Sequence, residues 1–326
     1  LANEPPPRLK RVAVALLKLA VVLLVVWFVG GTARDAWRQL TEQEVRVRPL
    51  YGVAAGLMFL TSYLPMVWFW RQTLLALGQP APAGPSHLAF YLSQLGKYVP
   101  GKAAVVVIRT ERMRGSGGQL GQVAASVFFE TLTYMAVGGL IAALLLALGP
   151  GEHPRWLESL AAALGLACLT PTLPPVARWL IPRLTLNRRQ GDAAALVGLN
   201  LGLSIKGWCS SLVAWGGMAT SLWLTLAAVG AEPALDLATA RACLLSVTLP
   251  VVAGFLSLLP AGVMVREGLI LTLLAPVVGE GGALSAAVAL RLIWVLSEAG
   301  LCAILYGVSR RKGTAEADAR NTPSRE

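Results

Sequence analysis

Residues 92–114 read LSQLGKYVPGKAAVVVIRTERMR, and residues 253–274 read AGFLSLLPAGVMVREGLILTLL. Each has an apolar run, a break at Pro100-Gly101 or Pro260-Ala261-Gly262, a second apolar run, and an Arg soon after the break. A continuous spanning helix has no use for this pattern, because each break frees backbone groups that hydrocarbon cannot satisfy. Such breaks are tolerated where the backbone is buried in protein or lines a cavity, and in transporters they mark the substrate site.

The rest of the chain supplies the membrane setting. It is 56% hydrophobic and only 14% charged, and a span needs about 20 apolar residues. The runs Val12–Gly30, Leu50–Leu77, Leu120–Leu148, Leu157–Ile181, Ala195–Val229 and Ala283–Val308 all qualify or nearly do. The expected fold is an all-α polytopic membrane protein with about six full transmembrane helices and two Pro/Gly-broken re-entrant hairpins. Residues 1–11 form a cytoplasmic arm and 12–308 a single transmembrane domain. Residues 309–326 form a cytoplasmic tail, expected to be disordered from Gly313 because it has no apolar face to bury. The first apolar run follows Arg8, Lys10 and Arg11 like a signal peptide, but it is long for one and lacks a convincing small-residue cleavage site, so it reads as a retained helix.

A net charge of +11 would suggest nucleic acid in a soluble protein. Here much of it sits at helix ends, where the positive-inside rule explains it and nucleic acid is not expected as a partner. Cys168, Cys209, Cys243 and Cys302 are dispersed in apolar runs and read as small buried hydrophobes. His87 and His153 have no metal-ligand spacing around them, and neither a P-loop nor a dinucleotide fingerprint occurs. No cofactor or metal is expected. If residues 86–114 crossed the bilayer fully, Arg109, Arg112 and Arg114 would lie outside and every later loop would violate the charge bias. A re-entrant hairpin keeps them inside. A second hairpin within Leu237–Val278 then enters from the opposite face, and both termini are cytoplasmic. The halves, roughly 50–148 and 195–308, form an inverted repeat, an arrangement that places its site near the midplane. The arm from Leu237 to Leu259 is long for a half-membrane helix unless it bends at Pro250 or begins along the interface.

Ionisable residues at membrane depth cost roughly 2.5–3.5 kcal/mol each on insertion scales, so they are candidates for function. Lys97 and Lys102 bracket the first break and suit a cradle for an anionic headgroup, against the alternative of snorkelling to the interface. Arg109 follows them, and Arg266 matches phosphate geometry. With Pro100, Gly101, Pro260 and Gly262, these are the candidate substrate-binding residues. Glu130, Glu267, Arg291 and Glu298 are candidate counter-ion or coupling residues. Glu130 could pair with Lys102 or Arg109, Glu298 with Arg266 or Arg291, and Arg266 with Glu267. Arg291, Trp294 and Glu298 share one helical face. Lys206 is a lesser candidate, and Lys18 and Arg71 read as snorkelling residues.

The motif Gln94-Leu95-Gly96-Lys97-Tyr98-Val99-Pro100-Gly101-Lys102 with Arg109 downstream, Glu130 in the next helix, and residues 259–268, LPAGVMVREG, resemble the transmembrane region of lysylphosphatidylglycerol synthases and its stand-alone relatives. The resemblance covers roughly Lys10 to Tyr306, with less Gly at 261–264 than relatives tend to have. It implies movement of lipids between leaflets, by a stand-alone member without the cytosolic synthase domain. The expected substrate is an anionic phospholipid, glycolipid or polyisoprenyl-phosphate-linked lipid. The expected setting is the bacterial cytoplasmic (inner) membrane, with membrane lipids and enzymes of a lipid or glycan pathway as partners. Two alternatives stand beside it. One is an integral-membrane transferase using a polyprenyl-phosphate-linked donor, with Asp35, Glu42 or Glu44 as acid or base. The other is a non-transporting accessory subunit.

Overall fold

The computed structural model describes residues 48–98, 103–148, 169–184, 198–256 and 265–321, together with isolated positions between 31 and 38 and between 159 and 167. The described helices are α1 (Pro49–Ser62), α2 (Leu64–Ala76), α3 (Ala83–Gln94), α4 (Ala103–Arg114), α5 (Leu120–Ala147), α6 (Pro174–Leu184), α7 (Leu201–Ala228), α8 (Leu237–Leu256) and α9 (Val265–Asn321). A 3-10 turn, Leu95–Tyr98, extends α3, and no strand occurs among the described residues. Five described stretches are long and apolar enough to cross a membrane: Pro49–Ala76, Leu120–Ala147, Leu201–Ala228, Leu237–Phe255 and Arg266–Leu305. The protein is an all-α, multi-pass membrane protein.

Local chemistry explains several boundaries. Proline opens α1 and α2, where its fixed φ suits the first turn and its missing N–H costs nothing. The Asn200 side chain accepts from the Leu203 N–H at 2.9 Å and caps α7. Asp236 accepts from the Thr239 N–H at 2.7 Å and caps α8. That backbone N–H holds the Asp236 carboxyl below the usual range. Helix packing relies on small residues, as expected where lipid removes the hydrophobic drive between helices. A Cβ at Gly207 would stand 2.4 Å from the Phe69 ring, and one at Gly138 would stand 2.5 Å from Trp215.

The first broken segment doubles back. Its arms α3 and α4 have 12 residues each, about 18 Å at the helical rise, against about 30 Å of hydrocarbon. Arg109 reaches Ser93, and a Cβ at Gly96 would stand 2.7 Å from the Val105 nitrogen. Residues 93 and 96 thus face 109 and 105, which makes the arms antiparallel and leaves Gly96 no room for a side chain. The second segment differs in proportion. α8 has 20 residues with Pro250 inside it and is itself long enough to cross. It packs against α9, whose helical path is interrupted at Gly279, φ 75° and ψ 161°. The breaks themselves, with Pro100, Gly101, Lys102, Pro260 and Gly262, lie outside the described residues.

The described residues bear on three further expectations. Residues 313–321, where disorder or a loosely attached extension was expected, carry helical backbone continuous with α9. Their Ala, Glu and Arg content favours helix even without an apolar face. Arg71, read as a snorkelling residue, reaches the loop after α2, where its Nε and Nη2 donate to the Ala81 carbonyl at 3.2 and 3.0 Å. Cys243 and Cys302 are buried, but Cys209 is exposed, on a helix with one side open. Lys18, Cys168 and His153 lie outside the described residues.

Candidate functional site

A cavity of about 440 Å³ lies where α3, α4, α5, α8 and α9 meet. Its walls are mostly apolar, with Phe90, Val105, Val106, Met135, Val251 and Phe255 among them. Into this apolar space project Lys97 from the turn after α3, Arg109 from α4, Glu130 from α5 and Arg266 from the start of α9. Both broken segments therefore contribute cations to one space.

Arg109 is the most enclosed of these, with 2% of its surface exposed. Its Nη1 donates to Glu130 Oε2 at 2.7 Å and its Nε to Ser93 Oγ at 2.9 Å. The guanidinium also lies 4.7 Å from the Trp70 ring and 4.1 Å from the Phe90 ring. A planar cation can stack on rings and hydrogen-bond at its edge at once, which an ammonium cannot. Trp70 is itself held by donation from its indole N–H to Ser126 Oγ at 2.9 Å.

Lys97 forms an ion pair with Glu298 of α9. Its Nζ lies 5.6 Å from the Phe59 ring, which stacks on Trp294 with centroids 4.5 Å apart. Trp294 is anchored by its N–H to Ser221 Oγ at 3.1 Å. On Trp294 also rests Arg266, its guanidinium carbon 5.2 Å from the ring. Among the described residues Arg266 has no carboxylate partner. Glu267 pairs instead with Arg291 at 2.9 Å, and its second oxygen is buried with no hydrogen-bond partner among the described residues. That pair lines a small neighbouring pocket with Lys97, Arg266 and Trp294.

A family model described as the lysylphosphatidylglycerol synthase TM region matches residues 15–297. The chain belongs to that family. The match to the lysylphosphatidylglycerol synthase TM region takes in both broken segments and every residue lining the cavity, from Tyr63 to Trp294, and stops one position before Glu298. None of the curated proteins matches the chain.

Within this member of the lysylphosphatidylglycerol synthase TM region family, the candidate residues sort by contact. Lys97, Arg109, Glu130 and Arg266 share the cavity, and Glu298 reaches it through Lys97. Arg109 is the partner of Glu130, one of the two alternatives. Among the described residues Glu298 pairs with Lys97, and Glu267 pairs with Arg291 rather than Arg266. The reason is directional: Arg266 points over Trp294 into the cavity, while Arg291 lies within reach of the first turn of α9. Lys206 is exposed, 5.9 Å from the Trp68 ring and away from the cavity. Ser93, Tyr63 and Tyr134 were not singled out by sequence, and apolar runs containing one hydroxyl give no signal for them. Trp294 was legible only as a neighbour of Arg291 and Glu298 on one face. Asp35, Glu42 and Glu44 lie outside the described residues.

Proposed function

We propose that the chain is a membrane lipid transporter. It moves an anionic phospholipid, glycolipid or polyisoprenyl-phosphate-linked lipid between leaflets of the bacterial cytoplasmic membrane, through this cationic cavity. The observation that carries the reading is Arg266. It faces the cavity without a carboxylate partner among the described residues, while Lys97 and Arg109 are paired with Glu298 and Glu130. An isolated charge in an apolar space is costly unless a counter-charge joins it, and a guanidinium matches a phosphate's oxygens with two parallel donors.

In this reading the hairpins dip in from opposite faces as an inverted repeat, with both termini cytoplasmic, and the Lys97–Glu298 and Arg109–Glu130 pairs hold the empty site. Family membership supports a lipid-related membrane role. The residues on which a transferase would rely, Asp35, Glu42 and Glu44, lie outside the described residues, and no observation on the described ones favours that alternative.

Leaflet exchange in reconstituted vesicles tests the proposal. With labelled phosphatidylglycerol as the first substrate and a glycolipid and a polyprenyl phosphate beside it, wild type should exchange at least one. Arg266→Gln should lower that exchange at least tenfold, and Lys206→Gln should not. Exchange unchanged in Arg266→Gln, or no exchange of any anionic lipid by wild type, sinks the reading.

A further inference from the structure

Two tyrosine hydroxyls in the cavity wall lack strong partners. Tyr63 and Tyr134 line the cavity with only 8% and 7% of their surface exposed. The Tyr63 hydroxyl has no hydrogen-bond partner among the described residues. Tyr134 donates its hydroxyl to the Met218 thioether, a weak acceptor. A tyrosine this buried usually finds a partner for its hydroxyl, because water no longer supplies one. The Tyr63 hydroxyl interacts electrostatically with Tyr134, Arg266 and Glu130 of the cavity wall, and with Glu298 behind Lys97.

The fold fixes both rings. α1 and α2 make up one stretch long enough to span, Pro49–Ala76, and Tyr63 lies at their joint near its middle. Pro65 has no N–H to return to the Thr61 carbonyl, so the helix is interrupted there. At the joint the Leu60 carbonyl accepts from the Tyr91 hydroxyl at 2.9 Å. The Tyr63 ring sits between Phe59 and Phe90, with centroids 5.2 and 5.9 Å away. Tyr134 stacks on Trp215 at 4.3 Å, and the Trp215 indole N–H donates to the Tyr134 carbonyl at 3.0 Å. α5, which carries Tyr134, is fastened to α8 by Arg241, which donates to the Leu145 carbonyl and, at 3.4 Å, to the Leu148 carbonyl. Hydroxyls held this way lose little freedom when a ligand arrives.

We propose that Tyr63 and Tyr134 form a subsite for the hydroxyls of a polyol headgroup, a glycerol or a sugar joined to the lipid's phosphate, with that phosphate at Arg266. This rests on the lipid-transport reading and deepens it, because it selects among anionic lipids by what the phosphate carries. A phenol can donate to an alcohol and accept from one. A lipid ending in a bare phosphate would satisfy Arg266 and leave the phenols unpartnered, and a site built around hydroxyls rejects a ligand that lacks them. An ammonium headgroup fits worse still. It would bring a further cation to a cavity beside which Glu130 and Glu298 already hold Arg109 and Lys97.

Two lipids of equal charge that differ only in headgroup hydroxyls decide it: phosphatidylglycerol and phosphatidylpropanol, with the same labelled acyl chains. Wild type reconstituted in phosphatidylcholine vesicles should exchange phosphatidylglycerol between leaflets at least tenfold faster. Tyr63→Phe keeps the ring and removes the hydroxyl, and should cut that preference to below threefold. Tyr134→Phe should reduce it as well. Equal rates for the two lipids in wild type overturn the proposal. So does a preference that stays tenfold in Tyr63→Phe, including one that stays while both rates fall together, the mark of a hydroxyl with a merely structural role. Calorimetric titration of the dihexanoyl forms of both lipids into the purified protein separates this subsite from the transport reading. Tenfold tighter binding of the glycerol form without any leaflet exchange would refute transport and leave the subsite standing. Exchange of both lipids at one rate would do the reverse.

Discussion

Arg109 shows how much of this site is decided by the surroundings of one side chain. It is sealed between two aromatic rings and bonded to Glu130 and Ser93. Removing one member of a buried pair leaves the other charge uncompensated, at a cost of about 3–5 kcal/mol, whereas replacing both by apolar groups is often neutral. Arg109→Met alone should therefore lower the thermal unfolding temperature in detergent substantially. Adding Glu130→Leu should recover most of the loss without restoring transport. A double variant no more stable than Arg109→Met would show that the two do not act as a unit. At this scale the sequence was legible in part. An embedded Glu in the helix after a broken hairpin needs a cation, and Arg109 was within reach of the argument. That Glu298 takes Lys97, 201 positions away, depends on where the turn after α3 lands against α9. No periodicity records that.

The elements were more legible, because proline, glycine and run length act locally. The break at Pro100-Gly101 implied short arms, and α3 and α4 are too short to cross alone. The arm before the partner break already read as long for a half-membrane helix, and α8 does run for 20 residues through Pro250. Its apolar run extends well before the break, and composition alone cannot say where such a helix starts to count as buried. The interruption of α9 rests on Gly279, whose positive φ with extended ψ is a region essentially reserved for glycine. Gly279→Ala should cost about 1–3 kcal/mol from backbone strain. Gly281, two residues on, has a conformation open to any residue and nothing within 4 Å of an added Cβ. Gly281→Ala should be neutral or stabilising by up to about 1 kcal/mol from helix propensity. Unfolding measured on both in the same detergent checks the contrast, and equal effects would mean that Gly279 imposes no special constraint.

For the whole molecule, the Lys97–Glu298 pair joins the half spanning 50–148 to the half spanning 195–308 beside the cavity. Lys97→Glu and Glu298→Lys should each destabilise by placing like charges together, and the two combined should restore stability. If the exchanged pair is no better than either single variant, the link does not hold the halves. At the far end, deletion after Lys312 should leave leaflet exchange intact, because residues 313–321 extend α9 beyond the described core. Loss of exchange would reveal a role for that extension. Lys97, Arg109 and Arg266, which flank the two breaks in sequence, line one cavity, and the sequence singled out all three by their charge at membrane depth. The aromatic floor under Lys97 and Arg266, made by Phe59 and Trp294, was not legible, since stacking at 4.5 Å brings together residues from opposite ends of the chain.

Arg241 bears on how the chain is made. Its acceptor, the Leu145 carbonyl, lies 96 positions earlier, so α5 has left the ribosome and entered the bilayer well before α8 follows. A cation near the end of an apolar segment weakens that segment's case for insertion, and here the missing partner is already waiting at the end of a finished helix, whose terminus also favours positive charge. The later span thus finds its partner in an earlier one. In a chain lacking α5, Arg241, one turn into α8, would lose the Leu145 and Leu148 carbonyls and would have to reach to the interface instead.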